Sequence, residues 1–219
     1  LGMHGNIGPN LKTNECDVLI AIGMRFDDRV TGNLNEYAKQ AKVIHFDIDP
    51  AEINKNVQTE VAVLGDVKTT LPAVTQYLEK NSHTEWIASF KEHEQKEYDF
   101  VIQKETESTE GAIKMGEVVL KVSKATNHSA ILVSDVGQNQ MMAHRYFRFT
   151  QKRSNVTSGG LGTMGFGIPA AIGAKIGAPN RTVCLFCGDG GFQMTIQELG
   201  TIMQEKIGVK MIMLNNNFV

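Results

Sequence analysis

Two residues near the chain end have the types and spacing to hold a cation. Asp189 follows an apolar run, Thr182 to Cys187, and is the second residue of the stretch "GDGGFQMTIQELGTIMQEKIGVKMIMLNN", which runs from Gly188 to Asn216 and closes after a second run, Val209 to Leu214. If both runs are parallel strands joined by a helix over Thr195 to Lys206, the two side chains sit at neighbouring carboxyl ends. That is the edge where open α/β sheets bind ligands. A carboxylate and a carboxamide oxygen are hard donors. They are too few to cage calcium, which takes about six to eight oxygens, and they suit magnesium completed by phosphate and water. Gly190 and Gly191 leave room for phosphate oxygens at the helix start. The plainer alternative is a strand–turn–helix in which Asp189 caps and Asn216 turns. Either residue alone would favour that alternative; the pair at this spacing favours a Mg²⁺–diphosphate anchor.

Two other motifs compete for attention. Gly160-Leu161-Gly162-Thr163-Met164-Gly165 satisfies G-x-G-x-x-G. A dinucleotide fingerprint needs a strand directly before it and an acid about 20 residues on. Here "QKRSNVTS" precedes it, weak as a buried strand, and Asn180 and Arg181 stand where the acid should be. The remaining readings are helix packing through small residues or a loop pressed against another cofactor, and the Asp189–Asn216 pair favours the second. Cys184 and Cys187 form C-x-x-C, but within a strand residues three apart face opposite sides. No second cysteine pair exists to complete a zinc site, since Cys16 is the only other cysteine.

The elements that must position these residues follow an α/β rhythm. Asp17 to Gly23, Lys42 to Asp49 and Val61 to Gly65 read as strands, with short helices over 33–40 and 50–57. Asp66 reads as the N-cap of a helix reaching Leu78. Residues 80–110 are charged and lack buried-strand runs, so they read as a surface helix plus linker. The rhythm resumes with a helix over Met115 to Ala125, a strand over Ala130 to Asp135, a helix over Gly137 to Tyr146, and a glycine-rich entry into a helix from Ser158 to Ala178. Apolar strands alternating with helices give the fold class α/β, with two parallel-sheet domains at 1–80 and 111–219 joined by 81–110.

The totals set the outer limits. The chain has 219 residues, 42% hydrophobic and 21% charged, with a net charge of -2. That balance supplies no electrostatic reason to expect nucleic acid or an anionic membrane as partner. No apolar run reaches the roughly 18 residues that span a bilayer. Three cysteines, an odd and sparse count, fit a reducing compartment, and the expectation is a cytoplasmic protein. A start at Leu1 and an end at Val219 read as a segment of a longer chain.

Taken together, GDG followed by 24 residues and NN resembles the thiamine-diphosphate enzymes. More narrowly, "LGMHGN", "GMRFDDRVTGN", "HFDIDPAEINKN", "DVGQNQMMA" and "TSGGLGTMGFGIPAAIGA" resemble the large, catalytic subunit of acetolactate (acetohydroxyacid) synthase, over essentially the whole chain. The resemblance implies a flavin-type central domain, here incomplete, and a thiamine-diphosphate-binding domain truncated at its C-terminus. It places FAD against His4, Gly5, Gly23, Arg25, Asp28, Arg29, Asp47 and Asp66. Gly2, Gly5 and Gly23 would allow close backbone approach, Arg25 and Arg29 would meet a diphosphate, and Asp47 would accept from a sugar or ring N–H. The competing reading of Arg25, Asp27, Asp28 and Arg29 is a surface ion-pair cluster.

For thiamine diphosphate the resemblance assigns Gln138, Asn139, Gly162, Met164, Gly188, Asp189, Gly190, Gly191 and Asn216. The metal ligands would be Asp189, Asn216 and the Phe218 backbone carbonyl. Met164 would prop the cofactor, although a lone methionine usually reads as core packing. Many relatives carry histidine where this chain has Asn139, and asparagine can still donate. The implied reaction is decarboxylation of pyruvate and carboligation to a second 2-keto acid, pyruvate or 2-oxobutyrate, at the head of branched-chain amino acid biosynthesis. The implied assembly is a homodimer or tetramer with a small regulatory subunit. In this family the glutamate that activates the cofactor lies in an N-terminal domain outside this sequence, so no catalytic residue is assigned within it, and the 219-residue piece is expected to be inactive alone. Rival readings are glyoxylate carboligase, pyruvate oxidase, or a binding module that has lost its chemistry.

Overall fold

The computed structural model describes residues 1–108, 110–111 and 113–215. The chain divides into two compact units, Leu1–Phe100 and Val101–Val219.

The first unit is built on three parallel strands in the order β1 (Val18–Ile22), β2 (Lys42–Asp47), β3 (Val61–Leu64). Helix α1 (Ile7–Thr13) precedes β1, the short α2 (Asp28–Thr31) follows it, and α3 (Val67–Thr75) follows β3. The Asp66 side chain accepts from the Lys68 N–H at 2.9 Å, as an N-cap should. Ala21, Phe26, Tyr37, Ala38 and Val43 form the core on one face of the sheet.

The segments 33–40 and 50–57, expected to be helical, are turns instead. Short polar side chains there divert the backbone: Asn33 Oδ1 accepts from Asn35 N, and Asp49 Oδ1 from Ala51 N. Such local bonds compete with the helical ladder. Helix α4 (Thr84–Glu97), from the charged segment, packs on α1. Lys12 lies over the Trp86 ring at 5.1 Å, and the buried Glu97 accepts from the Ile7 N–H.

The second unit opens with α5 (Gln103–Thr106) and α6 (Met115–Ala125) and carries four parallel strands. In chain order these elements are β4 (Ile131–Ser134), α7 (Gln138–Tyr146), β5 (Asn155–Thr157), α8 (Gly167–Gly177), β6 (Val183–Cys187), α9 (Asp189–Met194), α10 (Glu198–Gln204) and β7 (Lys210–Met213). The sheet order is β5-β4-β6-β7. β4 and β6 are buried along their whole length, which is why they read as unbroken apolar runs rather than as alternation.

A short strand, β5, does precede the glycine-rich loop, contrary to the sequence reading. Its three residues sit at the sheet edge, where little burial is needed, so its polar composition hid it. The helix expected over Thr195–Lys206 is the shorter α10, Glu198–Gln204, and a further helix, α9, precedes it. α9 begins at Asp189, a turn follows at Thr195, and the Thr195 hydroxyl donates to the Gly165 carbonyl.

Cys184 packs with Phe186 and Leu132 on one face of the sheet, and Cys187 with Leu185 and Val183 on the other. Both thiols are free. Burial, with the Asp135 charge nearby, pushes Cys187 up to about 11. The described residues contain no group of three or more potential metal ligands among His, Cys, Asp and Glu, and no helix long and apolar enough to cross a membrane.

Leu185 is fully buried between β4, α8 and the sheet's other apolar side chains, so Leu185→Ala is expected to lower unfolding free energy by about 2–5 kcal/mol. Met203→Ala, at a 78% exposed position, is expected to stay within about 0.5 kcal/mol of the parent. Paired urea titrations check both.

Candidate functional site

The site in the second unit begins with the strand tips. β6 and β7 are parallel neighbours with Cys187 opposite Met213, and the Leu214 N–H donates to the Cys187 carbonyl at 2.9 Å. The chain leaving β7 therefore starts beside Cys187, two residues from Asp189. Asn216 and Phe218 lie outside the described residues. Asp189 is half-buried at the first position of α9, and the first N–H groups of a helix have no intrahelical acceptor.

Seven of the residues expected to meet thiamine diphosphate line one cavity of about 270 Å³: Gln138, Asn139, Met164, Gly188, Asp189, Gly190 and Gly191. Met115, Val136, Gly137 and Leu214 complete its described wall. Gly162 is not part of that wall; it lies on the exposed loop 158–163 with φ +60. Asn139 is 5% exposed, and its Nδ2 donates to the Val136 carbonyl at 3.2 Å. Its Oδ1 is buried without a partner. A concave pocket with an acid, helix-start N–H groups and an orphaned amide oxygen suits a ligand with anionic, metal-binding and N–H-bearing parts. A Mg²⁺–diphosphate group fits it.

The residue that organises this cavity was not singled out from the sequence. Asp135, directly after β4, is 1% exposed. One carboxylate oxygen accepts from the Val136 N–H at 2.7 Å and the Gly165 N–H at 3.1 Å; the other accepts from the Gly167 N–H at 2.8 Å. The carboxylate thus ties the end of β4 to the far foot of the glycine-rich loop. The near foot is held from the same β4–α7 unit, because Thr157 Oγ1 accepts from Ser134 Oγ at 2.9 Å and from Gln140 Nε2 at 2.8 Å.

Gly191 presses on the same carboxylate: a Cβ there would stand 2.5 Å from Asp135 Oδ1. The third glycine of "GDGG" therefore serves packing on Asp135, whatever else it contacts. The signal for Asp135 was present, since an acid two residues before a glycine at a strand end repeats the logic of "CGDG".

In the first unit the residues expected to meet FAD fall into two groups. Gly23, Asp47 and Asp66 stand at the carboxyl ends of β1, β2 and β3. Asp28 and Arg29 line a separate cavity of about 310 Å³ with Gly2, Met3 and Tyr37. His4 closes the 3-10 turn Gly2–His4, and Gly5 follows it. A Cβ at Gly2 would meet the Arg29 carbonyl at 2.2 Å, so this glycine's close approach is to the chain's own backbone. Gly23 has φ +61, and a Cβ there would meet nothing within 4 Å, so it offers open space. The exposed Arg25 pairs with Asp27 at 3.1 Å, and Asp27 Oδ1 also accepts from the Arg29 N–H. Part of the "RFDDR" motif is thus a local ion-pair and capping cluster. An open glycine beside Asp47 at parallel strand tips fits a dinucleotide of the flavin type.

Comparison with known proteins adds two family matches. Residues 1–74 match the thiamine pyrophosphate enzyme central domain, and residues 135–219 match the C-terminal TPP binding domain of the same enzymes. The chain is 43% identical over 216 residues to the acetolactate synthase isozyme 2 large subunit of Escherichia coli (strain K12), covering 99% of this chain and 38% of that protein. It is 41% identical over 217 residues to the acetolactate synthase large subunit of Lactococcus lactis, covering 99% and 37%, and 43% identical over 222 residues to that of Haemophilus influenzae, covering 100% and 38%. The chain thus spans less than two fifths of the length of these relatives.

Asp135→Ala would strand three N–H groups, those of Gly165 and Gly167 in buried bonds and that of Val136 in a part-buried one, and we expect a loss of about 2–6 kcal/mol in stability, reasoned from about 1–3 kcal/mol per buried unsatisfied group. Gly191→Ala is expected to cost about 1–3 kcal/mol through the clash with Asp135, because overpacked sites relax poorly. In the double variant Gly191→Ala/Asp135→Ala the two costs should fall short of their sum, because the clash disappears with the carboxylate. A double-mutant cycle by chemical denaturation measures this.

Proposed function

This chain belongs to the thiamine pyrophosphate enzyme family, carrying its central and C-terminal TPP-binding domains, and from that membership we propose that it forms the core of an acetolactate synthase large subunit. The activity is decarboxylation of pyruvate and transfer of the remaining two-carbon unit to a second 2-keto acid, pyruvate or 2-oxobutyrate. The observation that carries the reading is the cavity that gathers Gln138, Asn139, Met164 and Gly188–Gly191 around Asp189. The relatives reported above are all acetolactate synthase large subunits, which favours this activity over glyoxylate carboligase or pyruvate oxidase.

In this reading Asp189 and Asn216 supply the side-chain oxygens for Mg²⁺, with the Phe218 carbonyl as a third protein ligand. Gly188, Gly190 and Gly191 let diphosphate oxygens approach the first N–H groups of α9. Gln138 and Asn139 bind the same end. Met164, 40% exposed and lining the cavity, supports the middle of the cofactor. Bound thiamine diphosphate supplies the carbon nucleophile and the electron sink for loss of CO₂. The chain's own contribution is to grip the metal, orient the diphosphate and keep the pocket dry. Gly23, Arg25, Asp47 and Asp66, with His4, Gly5, Asp28 and Arg29, hold FAD in the first unit. The domain bounds 1–80, 81–110 and 111–219, a cytoplasmic setting, a homodimer or tetramer, and a small regulatory subunit complete the proposal.

In the full-length protein supplied with Mg²⁺ and thiamine diphosphate, pyruvate should be converted to acetolactate and CO₂. Asp189→Ala should weaken joint binding of metal and cofactor by at least about 100-fold, the upper end of what even a supporting group around a metal contributes. Calorimetric titration measures the binding, and product analysis the turnover. Glyoxylate-specific products, or equal affinity in Asp189→Ala, would defeat the reading.

A further inference from the structure

His45 is fully buried on β2, and neither ring nitrogen has a hydrogen-bond partner. Such a group carries a desolvation penalty that an apolar residue of similar size would avoid. The packing around it does not explain the choice. In register, Ala21 and Ala62 flank it on the neighbouring strands, leaving room for the ring. Phe26 meets it edge-on, with centroids 5.1 Å apart at 76°. All of these contacts would accept a phenyl ring.

The contact a phenyl ring could not replace points toward the sheet edge. Asp47 lies two residues on, so it shares His45's face of the strand. Its Oδ2 is 3.6 Å from His45 Nε2, just beyond hydrogen-bond length. Asp47 Oδ1 is committed elsewhere, accepting from the Asp49 N–H at 2.9 Å. Around Asp47 the strand tips are closed by backbone bonds, Gly23 N–H to the Phe46 carbonyl and Gly65 N–H to the Asp47 carbonyl. The approach over Gly23 is open. The carboxylate therefore has one oxygen fixed by its own loop and the other set between a buried imidazole and the crest of the sheet.

We propose that His45 is a positioning residue for cofactor binding: its Nε2–H steers Asp47 Oδ2 so that the carboxylate accepts from a hydroxyl or ring N–H of a flavin dinucleotide seated on the β1–β2–β3 crest. This rests on the flavin reading of the first unit. Seating the ligand excludes water from Asp47, which strengthens the imidazole–carboxylate interaction and draws it to hydrogen-bond length. The buried histidine thus carries its cost in the free protein and gains its partner in the bound one.

The test uses the full-length protein, with FAD affinity read by quenching of flavin fluorescence and stability read by thermal unfolding of the FAD-free form. His45→Phe keeps the edge contact with Phe26 and removes the orphaned nitrogens, so its unfolding temperature should be unchanged or higher. Its FAD dissociation constant should rise about 10-fold, the scale of one hydrogen bond to a charged group. His45→Gln, which keeps a donor, should recover most of that affinity, and the bound flavin's visible spectrum should follow the same order. Equal FAD affinity in His45→Phe would overturn the proposal. So would parallel losses of stability and affinity in both variants, which would mark His45 as packing alone. Asp47→Ala separates this from the underlying reading: wild-type protein that binds no FAD, or Asp47→Ala that binds it as well as wild type, removes the flavin site and with it the role of His45.

Discussion

One buried carboxylate holds the second unit's functional edge together. Asp135 has almost no solvent, so the cost of its charge must be met by hydrogen bonds, and three backbone N–H groups from two segments meet it. Those bonds fix where the glycine-rich loop returns to the protein. The same carboxylate sets how closely the "GDGG" turn can approach, because only a glycine fits beside it at position 191. Loop, strand end and turn are therefore located by a common reference point, and the cavity they enclose inherits its shape from that point. Burial pushes the Cys187 thiol up, and the same Asp135 charge, one strand away, adds to the rise.

The two units solve a similar problem in parallel. Each places its candidate ligand-binding residues at the carboxyl ends of parallel strands, the edge that α/β sheets leave open. Each also keeps a buried polar side chain near that edge. In the second unit the buried group is itself the acid and is satisfied by backbone. In the first it is His45, set behind the acid Asp47 and without a hydrogen-bond partner of its own. A fully satisfied polar group rigidifies its surroundings, whereas an unsatisfied buried one calls for an explanation, which for His45 is the proposed tightening of its contact with Asp47 when the cofactor is seated.

Much of this was legible in the sequence, and for identifiable reasons. β4 and β6 announced themselves because strands buried on both faces carry no polar alternation to confuse the pattern. The α6 helix was readable because its apolar stripe runs its full length, from Met115 to Ala125. What failed was local and polar. Asn33, Asp49 and Asn54 turn segments that composition alone would make helical. β5 hid at an edge, where three residues suffice. The helix expected to start at Thr195 starts at Glu198 instead, and the Thr195 hydroxyl donates to Gly165, a partner 30 positions away that no periodicity reveals. For the site, residues that would touch a ligand were found through their chemistry. Those that hold them, Asp135, Ser134 and Gln140, were missed because their partners become neighbours only on folding. The paired acid and amide at Asp189 and Asn216 rest on strand adjacency, which β6 and β7 display as far as Leu214.

That shared grip is best tested by a crystal structure of the full-length protein grown with thiamine diphosphate and Mn²⁺ in place of Mg²⁺, the metal located by its anomalous scattering. The account predicts a single peak at the β6–β7 tips, with the Asp189 carboxylate and the Asn216 carboxamide oxygen both within coordination distance, about 2 Å, and the diphosphate over Gly190 and Gly191. A metal bound elsewhere, or a diphosphate seated in the 160–165 loop with Asp189 facing away from it, would contradict the account.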